Sequence, residues 1–367
     1  MPSLVSHLLP LELIHSIVFE AWVTIESSQE WRSRWDFFRD VSMVSKTWRS
    51  VMTDVALRLV TIGTRRDFEA YKRIIRQEFG VDPNFTDVER VHPSADKYFE
   101  RSDLHITLTD WASTINVFAF SCDYTRIPHY IPKARFIDVT IRELPTNDRH
   151  TLPFRPLFQC LSQYRATRRM SLRWTYTHIN RFIVPTGRVR GVTYLRLVEY
   201  PRCNCHNFRI VLPGTGPEAG PNAGPPLYFP VGSHRLDCFS HYLPTLFPDL
   251  RHLHLETPYL LKRLKLPPSV ALLTLEAPPV HYLPSVGYYS SLMSWNIISA
   301  VSAGLLRRTE NDAPRKRIVV KCGPNEPVGW RQAVSACESR DVDLESRHVY
   351  KVQHSEPLPR ATKRDWA

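Results

Sequence analysis

A short apolar pattern recurs down this chain: an apolar residue, any two residues, a second apolar residue, any one residue, and a third apolar residue. It occurs as Ile115-x-x-Phe118-x-Phe120, Ala134-x-x-Ile137-x-Val139, Val192-x-x-Leu195-x-Leu197, Leu250-x-x-Leu253-x-Leu255 and Val270-x-x-Leu273-x-Leu275. Weaker copies stand at Met170-Ser171-Leu172 and Ile318-Val319-Val320. The last two apolar residues of each copy lie two positions apart, the side-chain period of a β-strand. Each copy therefore predicts a short strand that sends alternate side chains into a core. The copies are separated by irregular intervals, from about twenty to nearly sixty residues. Short repeating strands joined by connections are one reading of this pattern, and an ordinary α/β sheet with half-buried strands is the alternative.

The rest of the chain supplies those connections. Leu59-Val60-Thr61-Ile62 predicts another strand. Asp67–Phe79 predicts a helix with Phe68, Tyr71, Ile74 and Ile75 on one face and Gly80 placed to end it. Residues 81–103, with Pro83 and Pro93, read as a polar loop. Ser291–Arg308 predicts a helix with Leu292, Trp295, Ile298, Val301 and Leu305 along one side and Arg307-Arg308 complementing its dipole. Val328–Ser339 predicts a second, with Trp330, Val334 and Cys337 on one face. It lies between strand-like 318–320 and 342–344, and that order predicts a terminal βαβ unit. Pro213–Pro226 is rich in Gly and Pro and predicts an exposed flexible loop, and residues 355–367 a frayed tail.

The N-terminus has a different texture. Pro10 suits a first helical turn, where its missing N–H costs nothing. Leu11, Ile14, Ile17, Val18 and Ala21 follow at helical spacing. After the charged stretch Val23–Trp35, a second stripe runs through Val41, Val44, Trp48, Val51 and Val55. So small a helical unit carries more apolar surface than it can bury alone, which predicts a partner.

The order Leu9-Pro10-Leu11-Glu12-Leu13-Ile14 with Ile17, then Val41-Ser42-Met43-Val44-Ser45-Lys46-Thr47-Trp48, resembles an F-box. The longer link Val23–Trp35 resembles an elaboration of fungal F-box proteins. The resemblance covers roughly residues 7–60. It implies a three-helix module that docks the Skp-type adaptor of an SCF-type cullin–RING ubiquitin ligase through Leu9, Pro10, Leu11, Leu13, Ile14, Ile17, Val44 and Trp48. The recurring apolar pattern is similar to that of leucine-rich repeats, although the usual Asn or Cys after it is missing. It implies an irregular, leucine-rich-repeat-like α/β solenoid whose strands turn Arg196, His252 and His254, with the neighbouring Arg251, toward a bound protein.

The expected fold is thus α+β or α/β. Residues 1–60 would form the F-box-like helical module, 61–110 a helical and loop connector, 111–354 the irregular substrate-recognition domain, and 355–367 a flexible tail. The expected function is that of a non-enzymatic substrate-recognition subunit, with a protein substrate and no cofactor. A repeat scaffold capped by its N-terminal helices, and a basic nucleic-acid-binding protein, are the alternatives.

Composition fits a folded chain: 43% of its 367 residues are hydrophobic and 11% aromatic. No apolar run approaches a membrane span. Glu12 and Glu20 near the N-terminus argue against a secretory signal. Seven scattered cysteines argue for a reducing compartment, cytosol or nucleus. The net charge of +12 is concentrated: residues 155–265 hold sixteen Lys/Arg and five Asp/Glu, whereas residues 1–62 hold six and seven. Such a surface attracts acidic protein segments or nucleic acid, or is simply solvated decoration. No nucleic-acid-binding motif accompanies it, so nucleic acid is not the expected partner.

Motifs for chemistry are few. Cys203-Asn204-Cys205-His206, completed by His234 and Cys238, would suit zinc, but an incidental polar loop explains it as well. His252 and His254 share one strand face, where surface imidazoles are expected rather than ligands. Pro314-Arg315-Lys316-Arg317 reads as a nuclear import signal or a solvated strand entry. Gly-x-Ser-x-Gly, Walker and His-Glu-x-x-His motifs are missing, so no catalytic residue is proposed.

Overall fold

The computed structural model describes residues 9–27, 31–79, 102–109, 127–142, 154–174, 187–199, 239–256, 261, 264–276, 289–307, 315–322 and 326–348. Three helices come first. Helix α1 (Leu11–Ser27) opens on Pro10, whose carbonyl accepts hydrogen bonds from the N–H groups of Leu13 (3.0 Å) and Ile14 (3.1 Å). Helix α2 (Trp31–Val44) is separated from α3 (Lys46–Arg58) by one residue, Ser45. The Ser45 hydroxyl accepts from the Trp48 N–H at 3.3 Å and caps α3. The stripe from Val41 to Val55 is therefore carried by two helices. Val44, at the end of the first, is 63% exposed, while Val51 and Val55 are buried. The stretch 23–35 is also more helical than expected, since α1 continues to Ser27 and α2 starts at Trp31. Ile14, Val18 and Trp22, one turn apart along α1, pack on Val51, Met52, Val55 and Ala56 of α3 and form a small core of their own.

Nine strands follow among the described residues: β1 (Leu59–Ile62), β2 (Asp103–Thr109), β3 (Phe136–Arg142), β4 (Arg169–Trp174), β5 (Tyr194–Glu199), β6 (His252–Leu255), β7 (Leu272–Glu276), β8 (Lys316–Cys322) and β9 (Val342–His348). They make one parallel sheet whose strand order is the order along the chain. A doubly wound sheet reverses direction at a switch point, and this one never does. The registers are in phase, so Ile137, Met170, Leu195, Leu253, Leu273 and Ile318 lie side by side. Their partners two residues on, from Val139 through Val320, fill the same layer. The leading residue of the apolar pattern is buried wherever it is described: Ala134, Val192, Leu250 and Val270.

Helices cover that apolar face. Helix α4 (Arg65–Phe79) follows β1, α5 (Phe154–Leu161) follows β3, α6 (Phe239–Leu246) follows β5, α7 (Tyr289–Ser302) follows β7, and α8 (Trp330–Glu338) follows β8. They give Phe68, Tyr71, Phe158, Leu246, Ile297 and Ala333, among others, to the same core. The chain is accordingly an α/β protein with a parallel sheet. Among the described residues no helix is long and apolar enough to cross a membrane.

Several expectations are corrected here. Within 61–110 the described residues include the end of β1, α4 and β2, and both strands belong to the sheet. The strand expected at 115–120 lies outside the described residues. Helix α7 turns inward Met293, Ile297, Ala300 and Val301, whereas Trp295 is 64% exposed, so its buried face is offset from the one expected. Of the run 314–317, Arg315–Arg317 are described and lead into β8: Lys316 is buried and its ammonium donates to the carbonyls of Pro268 and Arg307, both at 3.2 Å. Arg315 beside it donates to Asp341 (2.7 Å) and Asp343 (2.9 Å), so the run is a strand entry rather than a free import signal. Cys160, Cys322 and Cys337 are buried and unpaired, and burial raises their thiols, that of Cys337 to about 11.

One buried polar cluster fastens the helical unit to the sheet. The Asp67 carboxylate accepts from Arg34 (2.7 Å) and Trp35 Nε1 (2.8 Å) on one oxygen. On the other it accepts from the N–H groups of Gly63 (3.0 Å) and Thr64 (2.8 Å) and from the Thr64 hydroxyl (3.0 Å). The Asp67 N–H returns a bond to Thr64 Oγ1 (3.2 Å), closing a capping box at the start of α4. The Arg34 guanidinium lies 5.6 Å from the Trp22 ring and 5.5 Å from that of Trp35. Trp35 in turn sets its edge against Tyr71 at 5.1 Å. Trp35 and Phe38 touch both cores.

Candidate polar face of the sheet

Because side chains alternate, the residue between the last two apolar positions of each pattern points away from the helices. In-phase registers turn those residues into one transverse row: Thr61, His105, Asp138, Ser171, Arg196, His254, Thr274, Val319 and Glu345. A neighbouring row on the same face carries Asp103, Phe136, Arg169, Tyr194, His252, Leu272, Arg317 and Asp343.

Hydrogen bonds knit these rows from strand to strand. The Tyr194 hydroxyl meets His254 Nδ1 at 3.0 Å, and His254 Nε2 meets Glu276 at 2.9 Å. A carboxylate only accepts, so Nε2 carries a proton and donates to Glu276, while Nδ1 bonds the phenol oxygen. Burial, first among the causes, raises the Tyr194 phenol, which therefore stays protonated as a donor. His252 Nε2 meets the Thr274 hydroxyl at 2.8 Å, and the Tyr194 ring sets its edge on His252 at 4.8 Å. Arg169 lies 5.3 Å from the centre of the Tyr194 ring. Arg196 is held by Glu256, whose pull outweighs burial and raises the guanidinium further. On the flank, burial alone would raise the Asp138 carboxyl, but hydrogen bonds from His105 and Ser171 keep it below its usual range.

The four residues expected to face a partner divide accordingly. Arg196, His252 and His254 share the polar face, and Arg251 stands exposed just before β6. His254 is only 5% exposed, wedged between Tyr194 and Glu276, so it positions its neighbours rather than meeting a partner directly. Tyr194, Thr274, Glu256, Glu276 and Asp138 complete the face and are absent from the expected set. Their signal is the central position of the apolar pattern and the residues flanking it. Among the described residues no group of three His, Cys, Asp or Glu gathers as a metal site, and 203–206, His234 and Cys238 lie outside them.

His252 gives the face a pH signature. Burial, then the charges of His254, Lys321 and Arg169, lowers it from 6.5 to about 4. A depressed histidine contributes stability that is complete above the unfolded value and is lost as pH falls toward the folded one, because the unfolded chain takes the proton first. Urea denaturation across pH 6.5 to 4 is expected to show a loss from this ring on the order of 1–2 kcal/mol, discounted for its exposed part. His252→Gln should remove that component of the slope. An unchanged slope would show that the ring titrates normally.

The other surface of note is apolar. Leu9, Leu11, Leu13 and Ile17 on and before α1, and Met43 and Val44 at the end of α2, are exposed, Met43 by 71%. Pro10 is exposed too. Two residues expected among them are less open. Ile14 is 5% exposed because it is the first layer of the small helical core, and Trp48 is half-buried against that core. The chain matches no family model, no curated protein and no solved structure.

Proposed function

We propose that the chain is a substrate-recognition subunit of an SCF-type cullin–RING ubiquitin ligase. On this reading α1–α3 act as an F-box that docks a Skp-type adaptor, and the sheet is an irregular leucine-rich-repeat-like solenoid that receives a protein substrate. The observation that carries the proposal is the set of exposed apolar side chains Leu9, Leu11, Leu13, Ile17, Met43 and Val44 on a helical unit with its own core. Large exposed apolar side chains grouped on one small unit mark an interaction surface. The polar face, with its charges paired across strands, suits directional recognition of a protein surface. Such a subunit acts by raising the local concentration of a target lysine near the ligase, with no bond-making of its own.

Titration calorimetry with a purified Skp-type adaptor tests the docking half. Wild type is expected to bind, and Leu13→Asp with Ile17→Asp to bind at least about 100-fold more weakly, since a buried hot spot would be replaced by charge. Equal binding by the two would end the proposal.

A second reading has an observation of its own. The Asp67 cluster and the shared packing of Trp35 and Phe38 favour helices that cap the sheet of a scaffold. Deleting α1–α3 does not separate the two readings, because either predicts a damaged sheet. Surface substitutions do, since a pure cap tolerates charge at positions 13 and 17.

A further inference from the structure

Cations at the N-terminal ends of the strands are answered unequally. On the flanks they have carboxylates: Arg135 grips Asp103 through two hydrogen bonds (3.1 and 2.8 Å), and Arg315 grips Asp341 and Asp343. In the middle they do not. Arg165 and Arg168 precede β4, Arg188 and Arg190 precede β5, Arg251 precedes β6 and Lys265 precedes β7. All six are exposed, and among the described residues none enters an ion pair. Arg168 donates to the Gly191 carbonyl at 3.1 Å, which leaves its charge uncompensated. Asp249, the acidic residue of these turns among the described residues, accepts from the Gly191 N–H at 2.9 Å and keeps its charge, so six cations stand against one carboxylate.

These turns form one continuous edge. The Thr193 N–H donates to the Arg168 carbonyl, the Arg251 N–H to Thr193 and the Ala271 N–H to Arg251, each at 2.9 Å. At about 4.8 Å per strand, the edge from β4 to β7 spans about 14 Å. A row of cations with so little counter-charge repels itself and attracts an extended anion.

We infer that this edge is the docking site for an acidic, extended segment of a partner protein. At about 3.3 Å per residue the edge accommodates four or five residues. Guanidinium forks suit carboxylates, which they hold through paired hydrogen bonds. A single-stranded nucleic acid carries the same charge but binds by stacking on open aromatic faces. Among the described residues the aromatic rings by the edge offer none: Tyr164 is buried, and Tyr194 is half-buried with Arg169 over its ring. That the partner is a ligase substrate rests on the function proposed above, while the acidic chemistry rests on the edge alone.

The test is fluorescence anisotropy on the full chain with a labelled peptide of about eight Asp and Glu residues, long enough to cover the edge. Its Asn and Gln counterpart and an oligothymidylate of equal charge are the comparisons. The acidic peptide is expected to bind, to weaken as salt rises, and to lose at least about tenfold in Arg165→Glu/Arg188→Glu/Arg190→Glu. The neutral peptide is expected not to bind. Should the reversal variant fail to fold, Arg188→Gln/Arg190→Gln replaces it, with a loss of at least about threefold expected. The inference is overturned by absence of peptide binding, by variants that bind as wild type does, or by tighter binding of the oligothymidylate. Leu13→Asp/Ile17→Asp should bind the peptide normally, and a wild-type chain that binds the peptide but not the adaptor sinks the ligase reading and leaves the acidic site standing.

Discussion

Asp67→Ala lowers the unfolding free energy by about 3–5 kcal/mol in urea denaturation, among the largest effects expected of a single substitution here. The carboxylate accepts five hydrogen bonds, from a buried guanidinium, an indole, two backbone N–H groups and a hydroxyl. Removing it leaves Arg34 charged and buried without its carboxylate, and opens the cap of α4 in the same stroke. Arg34→Leu should cost less, about 2–3 kcal/mol, because Asp67 keeps its four other donors. The order of the two variants is the informative outcome. Equal losses would mean that the cap contributes nothing and the ion pair everything.

The second large effect is a contrast between neighbours on one helix. Ile14→Ala is expected to destabilise the chain by about 2–5 kcal/mol, since its side chain lies in the small core with Val18 and Met52. Ile17→Asp, three residues on and 46% exposed, is expected to change stability by no more than about 0.5 kcal/mol. On the proposed function, the stable variant is the one that loses the adaptor, and the unstable one binds whenever it is folded. Thermal melts beside adaptor titrations separate the two. A stability loss for Ile17→Asp as large as that for Ile14→Ala would place position 17 in the core and remove it from any docking surface.

The sheet was legible because its signal is local. A strand needs only alternate apolar residues, and the copies at 137–139, 195–197, 253–255 and 273–275 announce themselves. Leu104, Ile106 and Leu108 alternate just as well, but the leading position of the pattern there is Arg101, not an apolar residue. The polar row was half legible: Arg196 and His254 stand at the pattern's central position, but Tyr194 and Glu276 flank it. Whether they touch depends on a register that no single strand reveals. Least legible was the Arg34–Asp67 pair. Its members lie 33 residues apart, one in a charged stretch that reads as a linker and the other in a helix's first turn, where an acidic residue already has a local explanation. The burial of Ile14 is illegible for a related reason: helical spacing gives the stripe but not which side of it meets the protein's own core.

The strand order also governs how the chain can change length. Each strand bonds only to its chain neighbours, so each connection closes one loop and no other. The step from His252 to its partner Leu272 is 20 residues and that from Tyr194 to His252 is 58. Closure entropy grows with the logarithm of length, so that difference is worth only about 1 kcal/mol. Insertions between strands are therefore thermodynamically cheap and leave Arg196 and His254 in register. A lineage built on this plan can vary its connections freely while the row of side chains across its sheet stays where it is.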